Sequence, residues 1–501
     1  MPEIVLTTFN ARYEHCSMGL RCLLANLGEL VPRAGLLEFT AGVRTPEAVE
    51  AVLKLEPRLV GIGVYVWNAA ECLRLAAELK RLRPELIIVL GGPEISHETR
   101  AQEIFQFADH VITGEGDLEF ARLCRSLLSG ARPEQKVIAA APPDLSLVEL
   151  PYSLYGAADI TGRVLYAEAA RGCPFGCEFC LSALDAAVRC FPLERLFPAW
   201  EKLLERGALR FKFTDRTFNL DTARAAAILN FFLERYRPGL FLHFEIVPDR
   251  LPEELFLLLQ KFPAGSLQLE AGVQTFNGDV AARVGRRQDN AAAEKNLLRL
   301  RRDTGAHLHA DLIAGLPGES LESFAAGFDR LAALGPQEIQ VGILKRLRGA
   351  PIARHDAEWG MVYSPYAPYE LRRSGLLDFF TMQRLRRFAR YWDLFANSGV
   401  FPETARLLRG GASPFAGFLA FSDWLYARTG ATHAIARARL RELAGAYLAG
   451  VLKLEPAAAE AAARRDAQAA RGNPGRSAGR QARHRSAPQS GPRLDNSTED
   501  C

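Results

Sequence analysis

The sequence predicts an α/β protein with three folded parts: a doubly wound parallel sheet over residues 1–145, a partial (β/α)6 barrel over 146–345 and a helical domain over 346–455. A tail, 456–501, is expected to be disordered. Three observations predict this. Short β-branched runs alternate with amphipathic stretches in two successive blocks, and strands alternating with helices imply a parallel sheet covered on both faces. After residue 345 the strand signals fade and Arg/Leu/Ala-rich helical periodicity replaces them. From Pro456 large apolar residues almost vanish, so little burial offsets the entropy of ordering the chain. A length of 501 residues agrees with two or three domains.

In the first block the strand candidates are Ile4–Thr8, Leu59–Val66, Leu86–Leu90 and Val111–Thr113. Pro57 and Asn68 bound the second, Gly91-Gly92-Pro93 ends the third, and Gly114-Glu115-Gly116 ends the fourth. Ala69–Leu82 and Asp117–Leu128 carry apolar residues at helical spacing. Residues 131–165 read as a connector around Pro142-Pro143. Val164–Ala169 opens the second block. Strand candidates Arg210–Thr214, Phe241–Ile246, Leu267–Ala271, Ala306–Ile313 and Ile339–Leu344 follow, with helices such as Asp221–Arg235 and Asn290–Thr304 between them. About six such units make a partial barrel, in which reactive groups collect at the C-terminal ends of the strands. Met382–Asn397 and Thr432–Leu448 are the long helical patterns of the third part.

Composition narrows the function classes. The formal net charge is +4, and an Arg-rich tail carries much of it, which does not mark a nucleic-acid groove. No apolar run approaches the ~20 residues of a membrane helix, and the N-terminus has no signal-peptide pattern. The expectation is a cytoplasmic protein without nucleic-acid or membrane partners. Of nine cysteines, Cys16, Cys22, Cys72, Cys124, Cys190 and Cys501 are scattered and read as inert thiols. The other three are clustered, and in a reducing compartment that suggests metal or redox chemistry.

Those three stand in Arg171-Gly172-Cys173-Pro174-Phe175-Gly176-Cys177-Glu178-Phe179-Cys180. A loop of this size can wrap one cubane and give each thiolate a separate iron. No fourth cysteine is close enough, so one iron stays open. A zinc site would be closed by four ligands in two pairs, and no second Cys/His pair stands at that spacing. Gly172, Pro174 and Gly176 suit a tight loop.

Cys-x3-Cys-x2-Cys after a strand that opens a partial barrel resembles the radical S-adenosylmethionine (SAM) superfamily. The resemblance implies a [4Fe–4S] cluster on Cys173, Cys177 and Cys180, whose open iron chelates the amino and carboxylate groups of SAM. It places Phe179 near the adenine. Reduction would cleave SAM to methionine and a 5′-deoxyadenosyl radical. Many members carry Gly-Gly-Glu at the second strand end; here Phe213–Asn219 replaces it. Asp215 can accept from the SAM ammonium and Arg216 can pair with its carboxylate; a strand-end ion pair is the alternative for both. Glu270 and Gln274 are placed to meet the ribose or methionine of SAM, with Gly272 permitting close backbone approach. Glu245 is a further candidate. The turn Gly315-Leu316-Pro317-Gly318-Glu319 is expected to shape the site rather than react.

A doubly wound domain ahead of such a barrel resembles the cobalamin-binding class of that superfamily, with a Rossmann-like sheet. The segments that carry the likeness are Asn10–Gly19, Gly63–Val66, Gly91–Glu94 and Gly114–Gly116. The implied cobalamin contacts are Val64, Tyr65, Gly91, Gly92, Gly114, Glu115 and Gly116, the glycines letting the backbone approach the nucleotide tail. The family's lower-ligand pattern, Asp-x-His-x-x-Gly, is missing. His15 stands in the corresponding loop, either as a cobalt ligand or as a loop hydrogen-bonder. A nicotinamide fingerprint is absent, because Gly61-Ile62-Gly63 is followed by Val66 where the third glycine belongs. Asn10–His15 and the helical C-terminal part are similar to a poorly characterised bacterial subfamily with a C-terminal domain of unknown function.

These likenesses imply a cobalamin-dependent methyltransferase acting on an unactivated carbon of a small-molecule substrate. One SAM would form the radical, methylcobalamin would donate the methyl group, and a second SAM would restore it. An electron donor such as flavodoxin or ferredoxin would feed the cluster. The alternatives are a radical oxidative cyclase or rearrangement enzyme, and a non-catalytic cobalamin or cluster sensor. Lys345-Arg346-Leu347-Arg348 at the barrel mouth either meets an anionic substrate or forms a solvated basic face.

Overall fold

The computed structural model describes residues 1–131 and 133–472. The first sheet is formed by β1 (Ile4–Asn10), β2 (Ala34–Thr40), β3 (Leu59–Gly63), β4 (Ile87–Gly91), β5 (His110–Thr113) and β6 (Val137–Ala139). All its pairings are parallel, in the order β2-β1-β3-β4-β5-β6. Every residue of β1 is buried. Val5 and Phe9 point to one apolar cluster with Ile62, Leu75 and Leu79; Ile4 and Leu6 point to another with Phe120 and Leu123. That two-sided burial is the doubly wound arrangement. Strand order reverses between β1 and β3, and in open α/β sheets a ligand crevice lies at the strand C-termini at such a point.

A short ribbon, β8 (Ala170–Arg171) against β9 (Arg189–Cys190), follows β7 (Leu165–Ala167). The second sheet then continues through β10 (Arg210–Phe213), β11 (Phe241–Ile246), β12 (Leu267–Gln274), β13 (His307–Ala314) and β14 (Glu338–Ile343). Its order is β14-β13-β12-β11-β10-β7, all parallel. Along β12, Leu267, Leu269, Ala271 and Val273 are buried under the helices, while Gln268, Glu270, Gly272 and Gln274 alternate on the lumen side. Six strands leave the barrel open between β7 and β14.

The C-terminal helices share the barrel's core. Phe328, on a barrel helix, packs edge-on against Phe388 at 5.1 Å and Trp392 at 4.8 Å, and Phe388 continues the stack to Phe415 and Phe418. This part is not purely helical, since β15 (Val362–Tyr363) and β16 (Leu371–Arg373) form an antiparallel pair. The expected disorder from residue 456 needs correction. Pro456–Gly472 is a helix. Its alanines favour helix formation, and Asp466 caps another helix by accepting from the Glu403 and Thr404 amides at 2.7 and 3.2 Å. The rest of the expected tail, 473–501, lies outside the described residues. Among the described residues no helix is long and apolar enough to cross a membrane.

Candidate functional site

The cysteine loop is held by its own backbone. Gly172 has φ +91°, and a Cβ there would lie 2.2 Å from the Ala187 carbonyl oxygen. The Cys173 amide donates to Asp185 O at 2.8 Å, and the Glu178 amide donates to Val284 O at 3.0 Å. Glu178 is buried and accepts from His355 Nε2 at 2.8 Å and from Arg354, which ties the loop to the chain leaving the barrel. The three thiols line one cavity of about 280 Å³ with Phe175, Phe179, Arg216, Glu245, Glu270, Gly272, Gln274, Arg286 and Asp311.

The donor set fits a cubane. Among the described residues no group of three or more His, Cys, Asp or Glu converges on a single-ion site; a cubane requires no such convergence, because each thiolate takes its own iron. Burial pushes the Cys173 and Cys177 thiols up. At Cys177 the guanidinium of Arg286, whose Nη1 lies 3.6 Å from the sulfur, opposes that rise. Metal loading must displace these protons.

Most of the expected SAM residues meet in this cavity. Phe179, Arg216, Glu270 and Gln274 line it with Glu245. Arg216 Nη1 pairs with Glu245 Oε1 at 3.0 Å, so it is both cavity-lining and strand-end paired. Gln274 sits at φ +69° beside a bulge in β12. A Cβ on Gly272 would lie 2.5 Å from Gln274 Nε2, the far end of a flexible side chain. Asp215 stands apart from the cavity. It is buried behind the strand end, and its Oδ2 accepts from the Ala169 amide at 2.9 Å. Burial raises its carboxyl to about 7. The Gly315–Glu319 turn is structural: Glu319 is buried and accepts from Thr275 Oγ1 at 2.6 Å.

The residues expected to meet cobalamin gather at the C-terminal ends of β1, β3, β4 and β5, the edge turned toward the barrel. Val64 is buried, and its amide donates to Gly91 O at 2.8 Å. Tyr65 stacks on Trp67 with ring centroids 4.5 Å apart. Gly92 has φ +105°, and its Cβ would meet Val64 O at 2.5 Å; at Gly114, φ +80°, it would meet Ala140 O at 2.9 Å. These glycines are demanded by internal chain crossings. Gly116 immediately precedes the helix Asp117–Leu128. His15 Nδ1 is 2.9 Å from the Tyr166 hydroxyl on β7. Trp67 and Tyr13 expose about half their surface at this edge (53% and 51%); such flat apolar faces suit a large planar ring.

Sequence reasoning missed the ion pairs that join these two halves. Arg171, two residues before Cys173, reaches Asp117 and Glu115 at 2.8 Å and Glu168 at 3.0 Å. Arg189 also pairs with Glu115. Arg21, Glu38, Asp159 and Arg163 form a second, largely buried group. The third corrects both readings for one residue of the basic run after β14, Arg348. Arg348 pairs with Glu94 at 3.0 Å and Glu98 at 2.8 Å, so it is an interdomain strap. Arg286 was missed as well; Gly285-Arg286-Arg287 after β12 was its only local signal.

Fold and site together define a radical SAM protein with a cobalamin-type domain in front of it. The sequence matches the family described as B12 binding domain over residues 4–124, and the family described as Radical SAM superfamily over residues 168–331. Residues 357–449 match a family described as Protein of unknown function (DUF4080). The chain carries a B12 binding domain followed by a radical SAM domain, and it is homologous to cobalamin-dependent radical SAM methyltransferases.

One relative is the 2-(S-pantetheinyl)-carbapenam-3-carboxylate methyltransferase of Streptantibioticus cattleyicolor, 24% identical over 64% of this chain and 50% of that protein. Another is the cobalamin-dependent radical SAM methyltransferase TokK of Streptomyces tokunonensis, 26% identical over 60% and 48%. The chain therefore spans about half the length of the curated relatives it matches. Among solved structures, the radical SAM methyltransferase TsrM from Kitasatospora setae, with tryptophan and a SAM analogue bound, superposes with a TM-score of 0.60. It is 18% identical, with 76% of this chain and 81% of that one covered. A second TsrM structure holds cobalamin and a [4Fe–4S] cluster.

Proposed function

We propose that this protein is a cobalamin-dependent radical SAM methyltransferase acting on an unactivated carbon of a small molecule. The observation that carries the reading is the single cavity in which three cysteines, Phe179, Glu270, Gln274 and Arg286 converge, next to a B12 binding domain whose ligand edge faces the barrel. When bound, the cluster would supply the electron that splits SAM, and cobalamin would supply a methyl carrier.

The chain's own residues position these groups. Cys173, Cys177 and Cys180 hold the cluster, and Arg286 places positive charge beside Cys177. Glu270 and Gln274 accept from and donate to SAM, while Phe179 offers the adenine an apolar face. Val64, Tyr65, Gly91, Gly92, Gly114, Glu115 and Gly116 form the cobalamin edge, with Glu115 fixed by Arg171 and Arg189. His15 serves the loop through Tyr166 instead of ligating cobalt. Asp215 supports the strand end and does not touch SAM. A reducing compartment, the cytoplasm, and a donor such as flavodoxin or ferredoxin complete the reading.

The test needs no substrate. Anaerobically reconstituted protein is given SAM, a strong reductant and either hydroxocobalamin or none. Methyl transfer predicts S-adenosylhomocysteine that forms only with cobalamin. Formation of 5′-deoxyadenosine alone, with no cobalamin-dependent S-adenosylhomocysteine, would favour a radical cyclase or rearrangement.

A further inference from the structure

We propose that the stretch of chain from Arg348 to Tyr369 is a strap that positions both cofactor loops, holding the cobalamin edge through Glu94 and the cluster loop through Glu178. The proposal rests on the reading of the Gly91–Glu94 edge as part of the cobalamin site and of the cysteine loop as the cluster site.

Glu94 ends the glycine turn after β4 and is 3% exposed. Its amide donates to Val64 O at 3.3 Å, and its carbonyl oxygen accepts from Gln102 Nε2 at 2.7 Å. Gly92 crosses Val64 at the same point, so Glu94 closes the backbone turn that the cobalamin tail would approach. Its carboxylate turns to the C-terminal part. Oε1 accepts from the Tyr369 hydroxyl at 2.5 Å and from Arg348 Nε at 3.0 Å. Burial and the Glu94 charge push the Tyr369 phenol up to about 12, so it stays a donor at neutral pH. Tyr369 has φ +56°, and Glu98, the second partner of Arg348, has φ +49°. Left-handed backbone at a residue other than glycine is strained and persists where its surroundings fix it.

Between Arg348 and Tyr369 the chain turns through Pro351–His355 and reaches the other loop. The Ile352 amide donates to the Glu178 carbonyl oxygen at 3.0 Å. Glu178 Oε2 accepts from His355 Nε2 at 2.8 Å and from Arg354 Nε at 2.9 Å. Glu178 stands between Cys177 and Cys180. Glu94 and Glu178 therefore repeat one pattern: a buried carboxylate on a cofactor loop, held by an arginine and a second donor from one stretch of chain. That stretch is anchored at the end of β14, where the Arg346 amide donates to Tyr369 O at 3.0 Å and the Leu371 amide to Leu344 O at 2.8 Å. Charge-assisted hydrogen bonds are the strong ones, and a buried carboxylate that loses its partners is costly. Two loops from different domains thus take their spacing from a third element.

The experiment reads two quantities on the anaerobically reconstituted full chain: affinity for hydroxocobalamin by equilibrium dialysis, and iron retained after desalting. Tyr369→Phe and Arg348→Met are each expected to weaken cobalamin binding at least about fivefold, the scale of losing a hydrogen bond to a charged group, with iron retention unchanged. Arg348→Lys, which keeps the cation but not the forked donor, should restore part of that loss. His355→Leu should lower retained iron and shift the electron paramagnetic resonance signal of the reduced cluster, with cobalamin affinity unchanged. Arg384→Met, which removes a pair with Asp423 elsewhere in the C-terminal part, should move neither quantity. A segment that served stability alone would reduce the folded fraction and leave the affinity of the folded protein at the wild-type value; that result overturns the proposal, and so does equal loss of both cofactors from every variant. Wild type that binds no cobalamin overturns the cobalamin reading and the proposal together. Cobalamin-dependent S-adenosylhomocysteine from wild type, beside variants that bind as wild type does, overturns the proposal alone.

Discussion

Arg171 and Asp117 form a two-pronged ion pair across the domain boundary, with Nη1–Oδ2 at 2.8 Å and Nη2–Oδ1 at 3.1 Å. One partner stands two residues before the first cluster cysteine; the other begins the helix after the Gly114–Gly116 loop. The contact therefore couples the cobalamin edge directly to the cluster loop. Both side chains are largely removed from water, at 12% and 6% exposure, so the pair is not an ordinary surface bridge. Its removal leaves buried charge unpaired.

The first prediction concerns this pair. Arg171→Met strands Asp117 and Glu168 together, while Glu115 keeps Arg189. The expected loss of stability is on the order of 3 kcal/mol, read by urea unfolding, and iron retained after desalting should fall at least twofold. Lys54→Met, which removes an exposed pair with Glu50, should change neither quantity measurably. Equal effects from both variants would show that the interdomain pair has no special weight.

Asp215 yields a prediction with a definite sign. Its folded-state carboxyl is raised to about 7 by burial, above the ordinary value near 4. The folded chain therefore binds this proton more tightly than the unfolded chain does, and stability falls as pH rises between about 4 and 7. Asp215→Asn should be at least as stable as wild type at pH 8, by an amount on the order of 1–2 kcal/mol. The difference should shrink toward pH 4. SAM affinity should be unchanged, because Asp215 does not line the cavity. A tenfold loss of SAM binding would restore the ammonium-contact role.

His15 is engaged by the Tyr166 hydroxyl at 2.9 Å. His15→Ala is therefore expected to retain cobalamin within about twofold of wild type. Its cob(II)alamin electron paramagnetic resonance spectrum should match wild type, with no nitrogen splitting from imidazole in either. Splitting present in wild type and lost in the variant would identify His15 as a cobalt ligand.

Much of the scaffold was legible because periodicity is a local property. Ala69–Leu82, Asp117–Leu128 and Phe241–Ile246 occur with the bounds their apolar spacing indicated. β2 and β6 were missed. Each is an edge strand with one neighbour, so each needs less β-branched character, and Ala34–Thr40 carries little. Leu59–Val66 was read too long, since the chain turns at Val64 to cross Gly92. Residues 456–472 were read as disordered because their low apolarity hid the helix propensity of their alanines.

The site divides along the same line. The three cysteines are eight residues of chain and announce themselves by spacing. Arg348 and Glu94 are 254 residues apart, and Arg171 and Asp117 are 54 apart. No local pattern joins such pairs, so only the fold reveals that these arginines serve domain assembly rather than substrate. The polar lumen was hidden for the same reason: Lys212, His243, Glu270, His309 and Glu338 each come from a different strand, β10 to β14.

The measurement that tests the central claim most directly is 5′-deoxyadenosine formation. Wild type and the triple variant Cys173→Ala, Cys177→Ala, Cys180→Ala are reconstituted with iron and sulfide without oxygen, then given SAM and dithionite. The cavity geometry predicts 5′-deoxyadenosine from wild type and at least a hundredfold less from the variant, with iron content falling in parallel. Wild-type protein that contains about four irons per chain and still forms no 5′-deoxyadenosine would contradict the enzyme reading and leave a cluster-binding protein without turnover.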